Sequence, residues 1–284
     1  MGFLMRVIRS ALLLVWKCHK PLIEKNKELK NIHAGETCFI FANGGSLKYY
    51  DVSSLPQIPS IVCSFQLLDK GMESLNVKYN ITTDSYSLYS LLYNAQPDIG
   101  RVQKNKLRPI FAGVLNKYKN VKTFANITNF HSTLCRRENM HYYYHFGDNS
   151  SYSHDLAGSF ANCRGALDTM LGVAKYLGFS KAVLIGCDYL GTPPFFGHFY
   201  ADGKPFYEAD EDYLVEYRAR LKVAAEGIDV TVIVPEGSTS LDFKYDSYEN
   251  YFGLERKYRE NAEFVDSEQL DLLREAARSR QVYM

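Results

Sequence analysis

Six apolar runs of strand length punctuate the 284-residue chain, and their spacing limits what it can fold into. They are Cys38–Ala42, Ser60–Phe65, Val77–Ile81, Val121–Ala125, Ala182–Gly186 and Val230–Val234. Each has the length of a strand and is too short for a globular helix. Between them lie helix-like segments at Ser85–Tyr93, Leu107–Tyr118, Gly165–Leu177 and Asp212–Ala225. Strands alternating with helices predict an α/β fold, a mostly parallel sheet with helices on both faces. The clearest unit is "RGALDTMLGVAKYLGFSKAVLIGCDYL". Here a helix ends at Leu177, Gly178 suits a left-handed cap, and a buried strand follows.

Length allows one such domain with additions. Hydrophobic residues at 46% and charged residues at 23% suit a soluble globular chain. Lys+Arg 33 against Asp+Glu 32 leaves no basic excess, which argues against nucleic acid as a partner. Six scattered cysteines without a CxxC pair predict reduced thiols in a cytosolic chain and no zinc site. Residues 1–30 form a basic, amphipathic N-terminal region. Its "GFLMRVIRSALLLVWK" is too short to span a bilayer and suits either an interfacial helix or a first helix packed on the domain. Residues 31–243 make the α/β domain. Residues 190–208, with Pro193, Pro194, Gly197 and Gly203, form a lid loop, and 244–284 read as a C-terminal helical extension.

Open parallel sheets bind ligands beyond the carboxyl ends of their strands. The residues found there are Asn43-Gly44-Gly45-Ser46, Ser64, Asn80 with Thr82 to Asp84, Asp188-Tyr189, and Pro235 to Ser238. Gly44 and Gly45 let backbone N–H groups approach an anion at a helix start, although a plain glycine turn fits the pattern as well. His198, in "GTPPFFGHFYADG", stands in the lid, where a neutral imidazole can accept a proton or simply stack among phenylalanines. His141 and His145 fall in a Tyr-rich, strand-like stretch that spoils an i, i+4 metal pair. Asp210-Glu211-Asp212 matches an acidic metal-holding pattern, but also an acidic helix start, which is the favoured reading.

Taken in order, these motifs resemble the bacterial CMP-sialic-acid-dependent sialyltransferases of lipooligosaccharide synthesis, and related sugar-transferase-like and pterin-pyrophosphokinase-like domains. The resemblance rests on Ala42-Asn43-Gly44-Gly45-Ser46-Leu47, Tyr79-Asn80, Leu177-Gly178-Phe179, Gly186-Cys187-Asp188-Tyr189 and His198-Phe199-Tyr200, and covers about Thr37 to Ser240. It implies a single Rossmann-like domain of the GT-A-variant kind with a lid, and inverting transfer without a metal or cofactor. The implied donor is a CMP-activated acidic sugar, and the implied acceptor a glycan or lipid-linked glycan. In that scheme Asn43, Gly44, Gly45, Ser46, Ser64, Asn80, Asp188 and Ser238 hold the nucleotide. His198 is the general base, Tyr189 and Tyr200 stand in for the family's phosphate-binding tyrosines, and Ser159, Asn162 or Arg164 grip the sugar carboxylate. A lipid-borne acceptor would account for the basic N-terminus and a peripheral place on the inner face of the inner membrane. The alternatives are an ATP-dependent pyrophosphokinase with Asp84 or Asp188 as metal ligand, and a non-catalytic nucleotide-binding accessory protein.

Overall fold

The computed structural model describes residues 14, 17–83, 109–130, 132, 137–144, 153–161, 165–207 and 215–273. Eight strands form one sheet: β1 (Thr37–Phe41), β2 (Ser60–Cys63), β3 (Val77–Thr82), β4 (Lys122–Asn126), β5 (Met140–Tyr143), β6 (Lys181–Ile185), β7 (Asp229–Val234) and β8 (Lys244–Ser247). Their spatial order is β8-β7-β6-β1-β2-β3-β4-β5, and every pairing is parallel. The expected α/β architecture is therefore present. From β1 the chain winds outward through β2 to β5, then returns to β1's other side and builds β6 to β8. The order reverses between β1 and β6, and loops leaving those two strands diverge to open a crevice.

Side-chain alternation along each strand divides the core in two. Cys38 and Ile40 of β1, Ile61 of β2 and Leu184 of β6 face a cluster completed by α1 (Ala166–Leu177) and α2 (Val215–Ala225). Phe39, Phe41, Val62 and Ile185 face the other way, towards Leu47, Met72, Val114 of the helical residues 109–117, and Phe264. Gly165 N–H donates to the Asp168 carboxylate at 2.8 Å to start α1. The helix ends at Gly178, whose φ of 93° is the left-handed cap that the sequence predicts.

The segments 23–30 and 244–273 both pack into the α/β domain. Ile23 is fully buried against Phe111 and Leu115. The buried Asn26 amide donates to the carbonyls of Tyr142 and Leu156, at 2.7 and 2.9 Å. From Ile23 onward the N-terminal segment thus packs on the domain. Among the described residues no helix is long and apolar enough to cross a membrane. At the other end, 244–247 form the sheet's last strand, β8. Tyr248, Phe264, Val265 and Leu270 beyond it are buried in the core. Helix is confined to short pieces in this segment, the first of them Tyr248–Phe252. Another, Asn261–Phe264, precedes a third over 267–273.

The loop expected as a lid is tethered along its length. Thr192 and Thr239 exchange backbone hydrogen bonds of 2.8 and 3.1 Å, and Phe199 N–H donates to Asn43 O at 3.1 Å. Phe199 is fully buried, and Phe195–Phe196 pairs with Phe206–Tyr207 as a small antiparallel ribbon. The buried Lys48 ammonium donates to the carbonyls of Ala201 and Gly203, while Asn261 Nδ2 donates to those of Tyr200 and Ala201. Lys48→Met keeps most of the stem but strips charged donors from two carbonyls. We expect it to cost about 2–4 kcal/mol in urea denaturation and to speed amide exchange selectively in 199–204. Unchanged exchange there would mean that Lys48 does not hold the loop.

Candidate functional site

The crevice between β1 and β6 contains a cavity of about 180 Å³. Its floor is the two strand ends, Ala42-Asn43-Gly44 and Gly186 to Leu190, with Cys63 closing β2. Ala166 and Leu167 at the start of α1, Tyr217 of α2, and Phe195, Gly197 and His198 of the tethered loop complete its lining. Thus Asn43, Gly44, Asp188, Tyr189 and His198, singled out far apart in sequence, meet in one place.

The glycines turn out to serve packing more than anion capture. A Cβ at Gly44 would lie 2.3 Å from Gly186 O and 2.5 Å from Asp188 Oδ2, so no side chain fits where the β1 and β6 turns cross. A Cβ at Gly45 would fall 2.5 Å from Pro205 Cβ. Gly44 N–H donates to Gly186 O at 2.9 Å, and Ser46 N–H to Asp188 Oδ2 at 2.8 Å. Two of the three amides in the expected anion cradle are therefore bonded within the protein.

Asp188 is the electrostatic centre of the cavity. Ser46 donates to it twice, through its N–H and through its hydroxyl at 2.5 Å. Burial outweighs those bonds and pushes the carboxyl up to about 7. The unfolded carboxyl titrates near 3.8, so between 3.8 and about 7 the folded state keeps a proton that the unfolded chain has lost. The resulting stability is fully present below 3.8 and disappears as pH rises through 7. Asp188→Asn, which can still accept from Ser46 N–H, should flatten the fall in stability between pH 5 and 8 by at most about 2.7 kcal/mol. Parallel urea titrations of both proteins at the two pH values measure this. An identical slope would mean that Asp188 ionises normally.

His198 is held by the β1 turn. It bridges to Gly44, and its Nδ1 lies 3.3 Å from Asn43 O. A carbonyl can only accept, so a neutral imidazole carries its proton on Nδ1 and Nε2 is the basic nitrogen. The Tyr200 ring stacks on the imidazole, centroids 5.0 Å apart and planes at 19°. Asn43 Oδ1, in the cavity wall, is buried with no hydrogen-bond partner. An orphaned acceptor there calls for a donor from a ligand. Burial, and then Asp188, raises the Tyr189 phenol. Tyr217 is raised by burial, with Cys187 and Asp168 adding to it. Both hydroxyls remain donors at neutral pH.

Other expected residues are placed differently. Ser46 is fully buried and bonded to Asp188. Asn80 lies inside β3, which continues to Thr82, and alternation puts it on the sheet face opposite Tyr79 and Ile81, away from the cavity lining. Ser238 donates to Pro193 O at 3.1 Å and anchors the loop. Ser159 sits in the turn between Ser153–His154 and Phe160–Ala161, its carbonyl accepting from Ser153. Tyr200 supports His198 without lining the cavity. Ser64 begins a 3-10 turn next to Cys63, but its side chain lies outside the described residues, as do Asn162, Arg164, Asp84, His145 and 210–212. His141 is buried in β5 and bonded to Asn26. Its pKa is lowered to about 4 by burial, with Lys25 and Lys122 nearby. Cys18, Cys38, Cys63 and Cys187 are free thiols.

No known protein family matches the chain in sequence, and no curated protein does. Among solved structures, the Campylobacter jejuni sialyltransferase CstII in complex with cytidine-5'-monophosphate is 16% identical, with a TM-score of 0.38. That similarity covers 86% of this chain and 99% of the other. The monofunctional alpha-2,3-sialyltransferase Cst-I from the same organism is 15% identical over 88% and 96% of the two chains, with a TM-score of 0.36. CstII with a trisaccharide acceptor and CMP is 16% identical over 83% and 98%, also at 0.36. Likeness at this level assigns neither activity nor residue roles to the present chain.

Proposed function

We propose that this protein is a glycosyltransferase that moves an acidic sugar from a CMP-activated donor to a hydroxyl of a glycan acceptor, with inversion. The observation that carries the proposal is the meeting of Asn43, Asp188, Tyr189 and His198 in one cavity at the reversal point of a parallel sheet. The motif resemblance supplies the donor class. The described walls bound less space than the ~300–1,000 Å³ of whole-ligand clefts, so they hold one moiety of the donor.

In this reading His198 Nε2 takes the proton from the attacking acceptor hydroxyl. The acceptor oxygen bonds to the anomeric carbon as the bond to the phosphate oxygen breaks, and CMP departs with that electron pair. Protonated Tyr189 and Tyr217 are the candidate donors for the charge developing on the phosphate. Asn43 Oδ1 takes an N–H or O–H of the nucleotide. An acceptor on lipid at the inner face of the membrane is part of the proposal.

The pyrophosphokinase alternative takes as metal ligand either Asp84, which lies outside the described residues, or Asp188. Both Asp188 oxygens accept from Ser46, so that role would need the clasp opened. Calorimetric titration of the chain with CMP, UDP, GDP and ATP tests the reading. CMP is expected to bind at least tenfold more tightly than the others; equal affinities, or preference for ATP with Mg²⁺, would overturn it.

A further inference from the structure

Behind the Ser46–Asp188 clasp lies a second cavity, about 290 Å³, that the transfer chemistry does not use. Ser46 and Phe195 border it, and Phe195 also lines the first cavity. Its remaining walls have a distinct character. Three rings of the wall follow one another, Tyr49 to Phe195 at 6.5 Å and Phe195 to Tyr207 at 4.9 Å between centroids, and Tyr258, outside the cavity, lies 5.3 Å from Tyr49. Glu236 and Arg256 stand at its edge, paired with each other, and Arg256 also pairs with Glu249. The Tyr50 hydroxyl in its wall is buried, with no hydrogen-bond partner, on a residue only 1% exposed.

We propose that this cavity is a subsite for a neutral sugar ring of the glycan acceptor. Each part of the wall suits that ligand class. A file of aromatic faces offers apolar surface to the C–H face of a pyranose, as sites that are apolar on one side and wet on the other do. The unpartnered Tyr50 hydroxyl can donate to and accept from a sugar hydroxyl, which has the same two capacities. Local charge does not call for an anion, because Glu236 and Glu249 balance Arg256 and Lys204. A quaternary ammonium would leave Tyr50 unpaired and would meet Arg256 and Lys204, whose ammonium covers the Tyr258 ring at 5.0 Å. The aromatic file continues past the closed part of the cavity to Tyr258, beside Glu249 and Glu255, so it can follow more than one ring. Binding energy gathered here, away from the reacting atoms, would hold the acceptor chain while its terminal hydroxyl reaches His198.

The inference rests on the transferase reading for the identity of the sugar as acceptor, but its test needs no turnover. Saturation-transfer NMR on the full chain uses the methyl glycosides of galactose, glucose and N-acetylglucosamine, with CMP and choline as counter-probes. At least one glycoside should receive saturation on its ring protons, undiminished by excess CMP. Tyr50→Phe and the exposed Tyr207→Ala should each weaken that signal at least threefold, with melting temperatures showing that both variants fold. Saturation of no glycoside, survival of the signal in both variants, displacement by CMP, or binding of choline instead would overturn the subsite. A glycoside signal lost in the variants from a chain that shows no CMP preference would leave the subsite standing and remove the transferase reading.

Discussion

His198→Ala is expected to lower the rate of sugar transfer by about 10²–10⁴-fold, the range that general base catalysis contributes, with little change in melting temperature. The imidazole is exposed and contributes little to the core, so stability should move by no more than about 0.5 kcal/mol. The chemical effect is larger because the β1 turn fixes the tautomer. Asn43 O holds the Nδ1 proton and leaves Nε2 basic. His198→Gln keeps hydrogen-bonding capacity but has no basic nitrogen, and should be as slow as the alanine variant. Initial rates with a CMP-activated acidic sugar, paired with thermal melts, decide the matter. A variant within a few-fold of wild type removes His198 from the proton transfer.

Gly44→Ala should be the most damaging single methyl addition near the site. The new Cβ would lie 2.3 Å from Gly186 O, a backbone atom that cannot swing aside. Relief requires parting the β1 and β6 turns, which breaks the Gly44–Gly186 hydrogen bond and strains both bonds between Ser46 and Asp188. We expect a loss of about 3 kcal/mol or more in urea denaturation, and weaker nucleotide binding because Asn43 moves with the turn. Gly113→Ala is the control. There an added Cβ meets nothing within 4 Å in the helical residues 109–117, and the change should stabilise by about 0.5–1 kcal/mol. If the two variants have similar stability, the crossing of the turns is not tight.

Much of the sheet was readable because its inner strands are covered on both faces. β1, β2, β3, β4, β6 and β7 all fall within two residues of the expected runs. Of the two edge strands, β5 was read only as a strand-like stretch around His141, and β8 was assigned to a helical extension. β8, "KYDS", is half exposed and carries two charges, and β5 hides its buried face behind His141 and two tyrosines. The same physics governed the site. Asn43, Gly44, Asp188 and Tyr189 follow strand ends directly, so the rule about sheet tips finds them. Asn80 and Ser238 share that local context, yet strand alternation turns one to the opposite face and a loop carbonyl engages the other. Tyr217, Leu167 and Phe195 enter from helices and a loop that only tertiary packing brings over the crevice. No local signal distinguishes them from ordinary core residues. Lys48 and Asn261 were missed for a related reason, since their partners are carbonyls of a distant loop.

The central position of β1 also has a consequence during synthesis. Its partner on one side, β2, follows soon: Phe39 pairs with Ser60. On the other side Phe39 pairs with Val183, 183 − 39 = 144 residues later. At roughly 5–20 residues per second on the ribosome, that edge of β1 waits on the order of 7–30 seconds for its neighbour. During that interval the nascent chain presents a fully apolar strand with open N–H and C=O groups. Contacts so distant along the chain slow folding, and an unpaired apolar edge invites association with other chains. Yield in a heterologous host should therefore depend on holdase chaperones and on growth temperature more than the mature protein's stability would suggest.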